Sequence, residues 1–163
     1  MSQRRGTQSD SEINKAMARV TTTPYAITHA NGSVTILRAV DAHGARGVGQ
    51  FVAASASTNP VTDVVKIEHK DVPRDTSYRN AWTFDGNAFG HDMTKARDLH
   101  RDKLRAARAP MLAALDVEFM RTLEAGGDTK AIAAEKQRLR DCPADLRISA
   151  AASIDDLKTA WPL

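Results

Sequence analysis
Two adjacent glycines, Gly126 and Gly127, interrupt a stretch that otherwise reads as helix from residue 93 to residue 141. The stretch is rich in Ala, Leu, Lys, Arg and Glu, which lose little on entering a helix. Its apolar residues recur at helical spacing through Ala96, Leu99, Leu104, Ala107, Met111, Leu115, Phe119 and Leu123. A glycine takes the left-handed conformation past a helix C-terminus without steric cost, so the pair predicts a stop. Asp128 is placed to cap a second helix through Ile132 and Leu139, and Pro143 ends it. Two helices joined by so short a loop must run antiparallel. Leu115 and Leu139 are therefore expected to be buried, each facing the other helix.

The residues ahead of this hairpin carry a different period. Tyr25 to His29 and Val34 to Arg38 alternate apolar and polar side chains, with Asn31-Gly32 between them. That pairing predicts a β-hairpin over residues 25–40, closed by a type I′ turn with two positive φ angles. Residues 61–69 read as a third strand. Residues 41–59 are rich in Gly, Ala and Ser and read as a long loop or a short, poorly formed helix near Phe51. A sheet of two or three strands needs cover, from a helix or a partner. Residues 71–91 hold Tyr78, Trp82, Phe84 and Phe89, with a turn at Asp85-Gly86. Tyr78 and Trp82 either fill the gap between sheet and helices or form an exposed recognition patch. Near the end, Ser153 with Asp156 resembles a capping box with Asp in place of Glu. Trp161 then either lids the hairpin core or anchors a partner.

The fold expected is α+β: a small N-terminal antiparallel β-sheet, then a C-terminal helical hairpin and a short terminal helix. The divisions fall at 1–20 (an arm with a short helix), 21–70 (the β module), 71–92 (an aromatic connector) and 93–163 (the hairpin module). Within the arm, Ile13, Ala16, Met17 and Val20 follow helical spacing behind Ser11, while residues 1–10 are polar and aperiodic. Ten such residues cannot offset their own ordering entropy, roughly 1–2 kcal/mol each, so an ordered arm implies a neighbouring subunit.

At 163 residues the chain suits one domain, or one domain with an arm. No apolar run is long enough to span a bilayer. The N-terminus has arginines but no apolar stretch behind them, so it is no secretory signal. The lone Cys142 makes no intramolecular disulfide. His29, His43, His69, His91 and His100 offer no pair four apart on a helix and none beside a cysteine, so no metal is expected. A Gly-x-Ser-x-Gly elbow and a Walker phosphate loop are both missing. Gly44, Gly47 and Gly49 lack the lysine that a phosphate cradle needs. The acid pairs Asp98/Asp102 and Asp155/Asp156 read as ordinary helix charges. No catalytic residue and no cofactor are assigned, and the chain reads as no enzyme.

Binding of nucleic acid is the stronger rival. Lys95, Arg97, Arg101, Lys103, Arg105 and Arg108 crowd one helix, and four of the arginines recur every three or four residues. Such a stripe can neutralise phosphates. Asp98 and Asp102 interrupt it and can pair with Arg101 and Arg105, so a solvated face or one meeting an acidic protein is favoured. The net charge of +3 is too weak to decide for nucleic acid.

Several segments together resemble a known group. They are Tyr78-Arg79-Asn80-Ala81-Trp82, Asp92-Met93-x-Lys95-Ala96, His100-Arg101-Asp102-x-Leu104-Arg105-x-x-Arg108 and Leu112-x-x-Leu115-Asp116. Lys136-Gln137-x-Leu139-Arg140-Asp141-x-Pro143 and the terminal Leu157-Lys158-x-x-Trp161-Pro162 complete the set. Over residues 71–163 the chain resembles small proteins encoded among the tail genes of tailed bacteriophages, described as tail-fibre-assembly or tail-assembly-chaperone-like. The resemblance implies a helical hairpin and a non-enzymatic virion structural component or assembly factor. It implies other phage tail proteins as partners, in a homo-oligomer or symmetric assembly, with no membrane and no nucleic acid. The location implied is the virion tail, or the host cytoplasm during assembly. The residues expected to touch a partner are Tyr78, Trp82, Arg97, Arg101, Arg105, Arg108, Arg140 and Trp161, of which Arg101 and Arg105 are expected to be solvated.

Overall fold
The structure, a computed structural model, describes residues 22–40 and 44–163. The arm, the helix expected over residues 11–20 and the contact expected between the arm and a neighbouring subunit lie outside the described residues. The chain divides into two compact units. One comprises the described residues up to 74 together with 84–89; the other comprises 75–83 and 90–163.

The first unit is built on three antiparallel strands, β1 (Thr22–His29), β2 (Val34–Val40) and β3 (Val61–Lys66), in the order β2-β1-β3. Pro24 lies in the central strand, a position proline usually avoids because it gives no N–H to a ladder. It is tolerated here because it sits level with Ile67, just past the end of β3. The turn between β1 and β2 corrects the type I′ expectation: Gly32 has φ of 74° and Asn31 is not in the positive region. Gly32 N–H bonds His29 O at 2.8 Å and His29 N–H bonds Ser33 O at 3.0 Å. This is a three-residue loop, a turn followed by a left-handed glycine bulge. The Asn31 side chain accepts the Ser33 N–H at 2.9 Å, stabilising that loop instead.

Between β2 and β3 the chain forms a regular helix, α1 (Gly44–Ser55), where the sequence suggested a loop or a poor helix. Three glycines lower its intrinsic propensity. The sheet needs cover, however, and Val48, Phe51 and Val52 form a half-buried stripe. His29 fastens this unit. It is 5% exposed; Nδ1 meets Asn59 O at 2.9 Å, Nε2 meets Thr35 Oγ1 at 3.0 Å, and the ring edge faces Phe51. The carbonyl can only accept, so Nδ1 carries the hydrogen and Nε2 takes the Thr35 hydroxyl proton.

The expected connector is more ordered than its sequence suggested. The short strands β4 (Trp82–Phe84) and β5 (Phe89–His91) pair across the Asp85-Gly86 turn. Asp85 Oδ1 accepts the N–H groups of Asn87 and Ala88, and Gly86 has φ of 94°.

The second unit hangs on α2 (Met93–Glu124), 32 residues and roughly 48 Å long. Asp92 caps it, accepting from Thr94 N and Lys95 N. Pro110 lies inside the helix without ending it. The stop comes at the glycines, as expected: Gly126 has φ of 69°, Gly127 N–H bonds Thr122 O and Gly126 N–H bonds Leu123 O. The antiparallel partner is α3 (Lys130–Asp141). Its capping residue is Thr129, whose side chain makes no capping bond; Asp128, one residue earlier, accepts the Lys130 N–H at 2.9 Å. Two short helices follow, α4 (Leu146–Ala150) and α5 (Ile154–Thr159), the latter with the anticipated Ser153/Asp156 capping box.

The core of this unit joins Tyr78, Ala81, Ala96, Leu104, Ile148, Ala151, Leu157 and Ala160. It sits at the N-terminal part of α2, under the two short helices. Leu139 is fully buried, but Leu115 is only half-buried, which corrects the expectation for that pair. The reason is geometric: α4 and α5 cover the start of α2, and only α3 accompanies its later turns.

Candidate interaction surface
Arg97, Arg101, Arg105 and Arg108 of α2 do not form the solvated stripe that their spacing suggested. Arg97 donates from Nε and Nη2 to Ala151 O, at 3.2 and 2.9 Å. Arg101 donates to Asp98 at 2.9 Å and to Ser149 Oγ at 3.0 Å. Arg108 donates from Nη1 to the carbonyls of Leu139, at 3.0 Å, and Arg140. Three of the four therefore fasten α2 to the segments that follow it. The physical reason is the supply of acceptors. The last carbonyls of a helix have no partner within it. Arg108 reaches those of α3 and Arg97 reaches the residue that closes α4, each bringing positive charge to a negative helix end.

Arg105 alone behaves as expected, paired with Asp102 at 2.6 Å, with its side chain 54% exposed. The Arg101 side chain is 26% exposed, so its assignment as solvated is corrected. Arg140 has an exposed side chain and serves the fold through its carbonyl.

Tyr78 and Trp82 are 4% and 7% exposed, so of the two alternatives the exposed recognition patch is the one they do not form. Tyr78 is part of the helical unit's core, and Lys103 lies over its ring at 4.0 Å while bonding Ser77 O. Trp161 is 39% exposed and its ring stands at 87° to that of His100, with centroids 5.3 Å apart.

His100 is the residue that sequence reasoning passed over. It is fully buried, with Nδ1 2.7 Å from Tyr78 Oη and Nε2 3.2 Å from Ala160 O. Burial pushes its pKa below the usual histidine value and pushes the Tyr78 hydroxyl up. The visible signal was its position on the inner face, four residues after Ala96 and four before Leu104.

Among the described residues, four of the seven exposed large apolar residues lie on the distal turns of α2. Met111, Val117, Met120 and Leu123 are 40%, 51%, 53% and 54% exposed. Ala113, Val117 and Met120 follow at intervals of four and three, so they share one outward face of α2. On the inward side Leu112, Leu115, Phe119 and Ile132 are half-buried. Between Leu104 and Leu139 no residue of either helix is buried. A single cross-link ties these distal turns: Lys136 reaches Asp116 at 2.5 Å and lies over the Phe119 ring.

Among the described residues no group of three or more His, Cys, Asp or Glu side chains could hold a metal ion. Among them, too, no helix is long and apolar enough to cross a membrane. Neither a family model, nor a curated protein, nor a solved structure matches the chain.

Proposed function
We propose that this chain is a non-enzymatic tail-associated protein of a bacteriophage, a structural component or assembly factor that works by protein contact. Its partners are neighbouring subunits of the tail assembly. The observation that carries the reading is the distal half of the helical hairpin. Helices in proteins owe most of their stability to packing of an apolar face. Here the turns from residue 109 onward bury nothing fully and present Met111, Val117, Met120 and Leu123 to solvent. A neighbouring subunit would supply the missing cover, and apolar anchors of this kind suit the centre of a protein interface. The family resemblance over residues 71–163 supplies the biological setting. The rival reading, nucleic-acid binding by the basic helix, loses support because Arg97, Arg101 and Arg108 already bond groups of their own unit.

The test is genetic and chemical together. Deleting the coding gene from a phage that carries it should leave heads but no functional tails. Mass spectrometry of wild-type virions then separates the two forms of the proposal: stoichiometric presence marks a structural part, absence an assembly factor. Normal tails in the deletion would overturn the proposal.

A further inference from the structure
The outward side of the distal turns of α2 has a spacing of its own. Ala106, Pro110, Ala113, Val117 and Met120 follow at intervals of four, three, four and three, and all five are exposed. That alternation averages about 3.5 residues, the period that keeps one seam of a helix against a partner helix along its length. The hairpin does not use this seam. Helix α3 lies towards the other side of α2, where Leu112, Leu115 and Phe119 are half-buried and Lys136 lies over the Phe119 ring. Glu124 is the next position on the seam and the last residue of α2, so the apolar run ends there.

The charges that border the seam select its occupant. Asp116 stands on one flank, in line with Ala109 and Leu123; Arg121 stands on the other, in line with Ala107 and Ala114. The Asp116 side chain is 61% exposed, and Lys136 takes only its Oδ1. Arg121 is exposed and pairs with no acid among the described residues. The two lie five residues apart on opposite flanks. In two parallel helices in register, each flank faces the opposite flank of the partner five residues further on, and charges there set partner and orientation. Asp116 of each copy would then meet Arg121 of the other, while Ala113, Val117 and Met120 each meet their own counterpart. An antiparallel pair sets each flank against its own kind. With Val117 against Ala113, it would bring Asp116 opposite Asp116, which repels.

We propose that the occupant of this face is a second copy of the same chain: two α2 helices pair side by side, parallel and in register, through Ala113, Val117 and Met120, with Asp116 of each bonded to Arg121 of the other. The pairing rests on the reading of the distal turns as a docking surface, and it names the partner and its orientation. A rotation axis running along the helices generates this contact, as in copies arranged around a common axis. A few turns of one helix bury less than about 1,200 Å² in total, the range of weak and transient contacts. The isolated chain therefore pairs in a concentration-dependent way, and many copies held side by side reinforce the contact.

The experiment uses the full chain in analytical ultracentrifugation, where dimers should form as concentration rises. Arg121→Glu should lose them, and so should Asp116→Arg. An equal mixture of those two variants should regain them, because both cross-contacts of the mixed pair join opposite charges. Should Asp116→Arg not fold, cysteine cross-linking provides the second test. Ala113→Cys and Met120→Cys should each oxidise to a dimer joined at that position in both chains, as peptide mass mapping reads, whereas Glu118→Cys, exposed but off the seam, should not. Monomers throughout, with no link at either position, would overturn the pairing. So would a link at only one of the two positions, the mark of an antiparallel crossing, or a mixture that stays monomeric after each variant alone has lost its dimers. A strictly monomeric chain whose gene is still needed for tails would overturn the pairing alone; normal tails in the gene deletion, with dimers present, would overturn the tail reading alone.

Discussion

The two halves of α2 stand in opposite situations, and the more apolar half is the less buried one. Its first twelve residues bury Ala96, His100 and Leu104 completely. Its last fifteen bury nothing, although Leu112, Leu115, Phe119, Met120 and Leu123 are at least as apolar. What separates them is the neighbours. The first half lies under α4, α5 and residues 160–163, which close it on several sides; the second half has α3 on one side and solvent on the other. A helix shows which residues it can bury, and only the rest of the chain decides which of them it does.

The comparison breaks most visibly under truncation of core residues. Leu104→Ala should cost about 2–5 kcal/mol, because the site is sealed and cannot collapse. Leu115→Ala, the same change in the distal half, should cost under about 1.5 kcal/mol. Chemical denaturation of both variants checks this, and equal losses would place the two leucines in one core.

The arginines give a smaller but sharper contrast. Arg108→Ala removes the donor to the last carbonyls of α3 and should cost about 1–2 kcal/mol. Arg105→Ala removes an exposed ion pair and should change stability by less than about 0.5 kcal/mol. By the same reasoning Arg101→Glu should destabilise the fold measurably, since it sets a carboxylate beside Asp98. Thermal melts of the three variants at low and high salt would separate them: the Arg105 effect should fade with salt and the Arg108 effect should persist.

The smallest effect on stability is expected where the effect on function is largest. Val117→Asp with Met120→Asp should leave the melting temperature of the isolated chain within about a degree or two, since both side chains are already half in water. The same double variant should fail to support tail assembly in a complementation assay. A strongly lowered melting temperature would mean that these residues stabilise their own unit.

Much of this fold was legible in the sequence because its punctuation is strong. The Gly126-Gly127 stop, the Asn31-Gly32 turn, the Asp85-Gly86 turn and the Ser153 box all fall where the residues placed them. Less legible was what depends on tertiary cover. Helix α1 has three glycines and forms because a sheet lies beneath it. The type of the first turn was misjudged because the Asn31 side chain bonds Ser33 instead of letting the backbone enter the left-handed region. Strands β4 and β5 were missed because three residues each is too short for a period to show.

The site was less legible than the fold. Spacing put Arg97, Arg101, Arg105 and Arg108 on one stripe, and they do share a side. Spacing could not reveal that carbonyls of α3 and Ala151, beyond α4, would arrive opposite them. Tyr78 and Trp82 looked like recognition residues by type, and their burial depends on contacts distant in sequence. Conversely, Val117 and Met120 attracted no notice because they fall outside the inward stripe through Leu115 and Phe119.

If the distal turns of α2 are the docking surface, they must gain protection when the protein finds its partner. Hydrogen exchange along α2 should be measured on the isolated chain and again on the chain within tail assembly intermediates. Amides of residues 96–104 should exchange slowly in both states, while those of 111–123 should exchange fast alone and slowly on assembly. Unchanged exchange over 111–123, with new protection confined to residues 93–104 or to the sheet unit, would contradict docking through the distal turns.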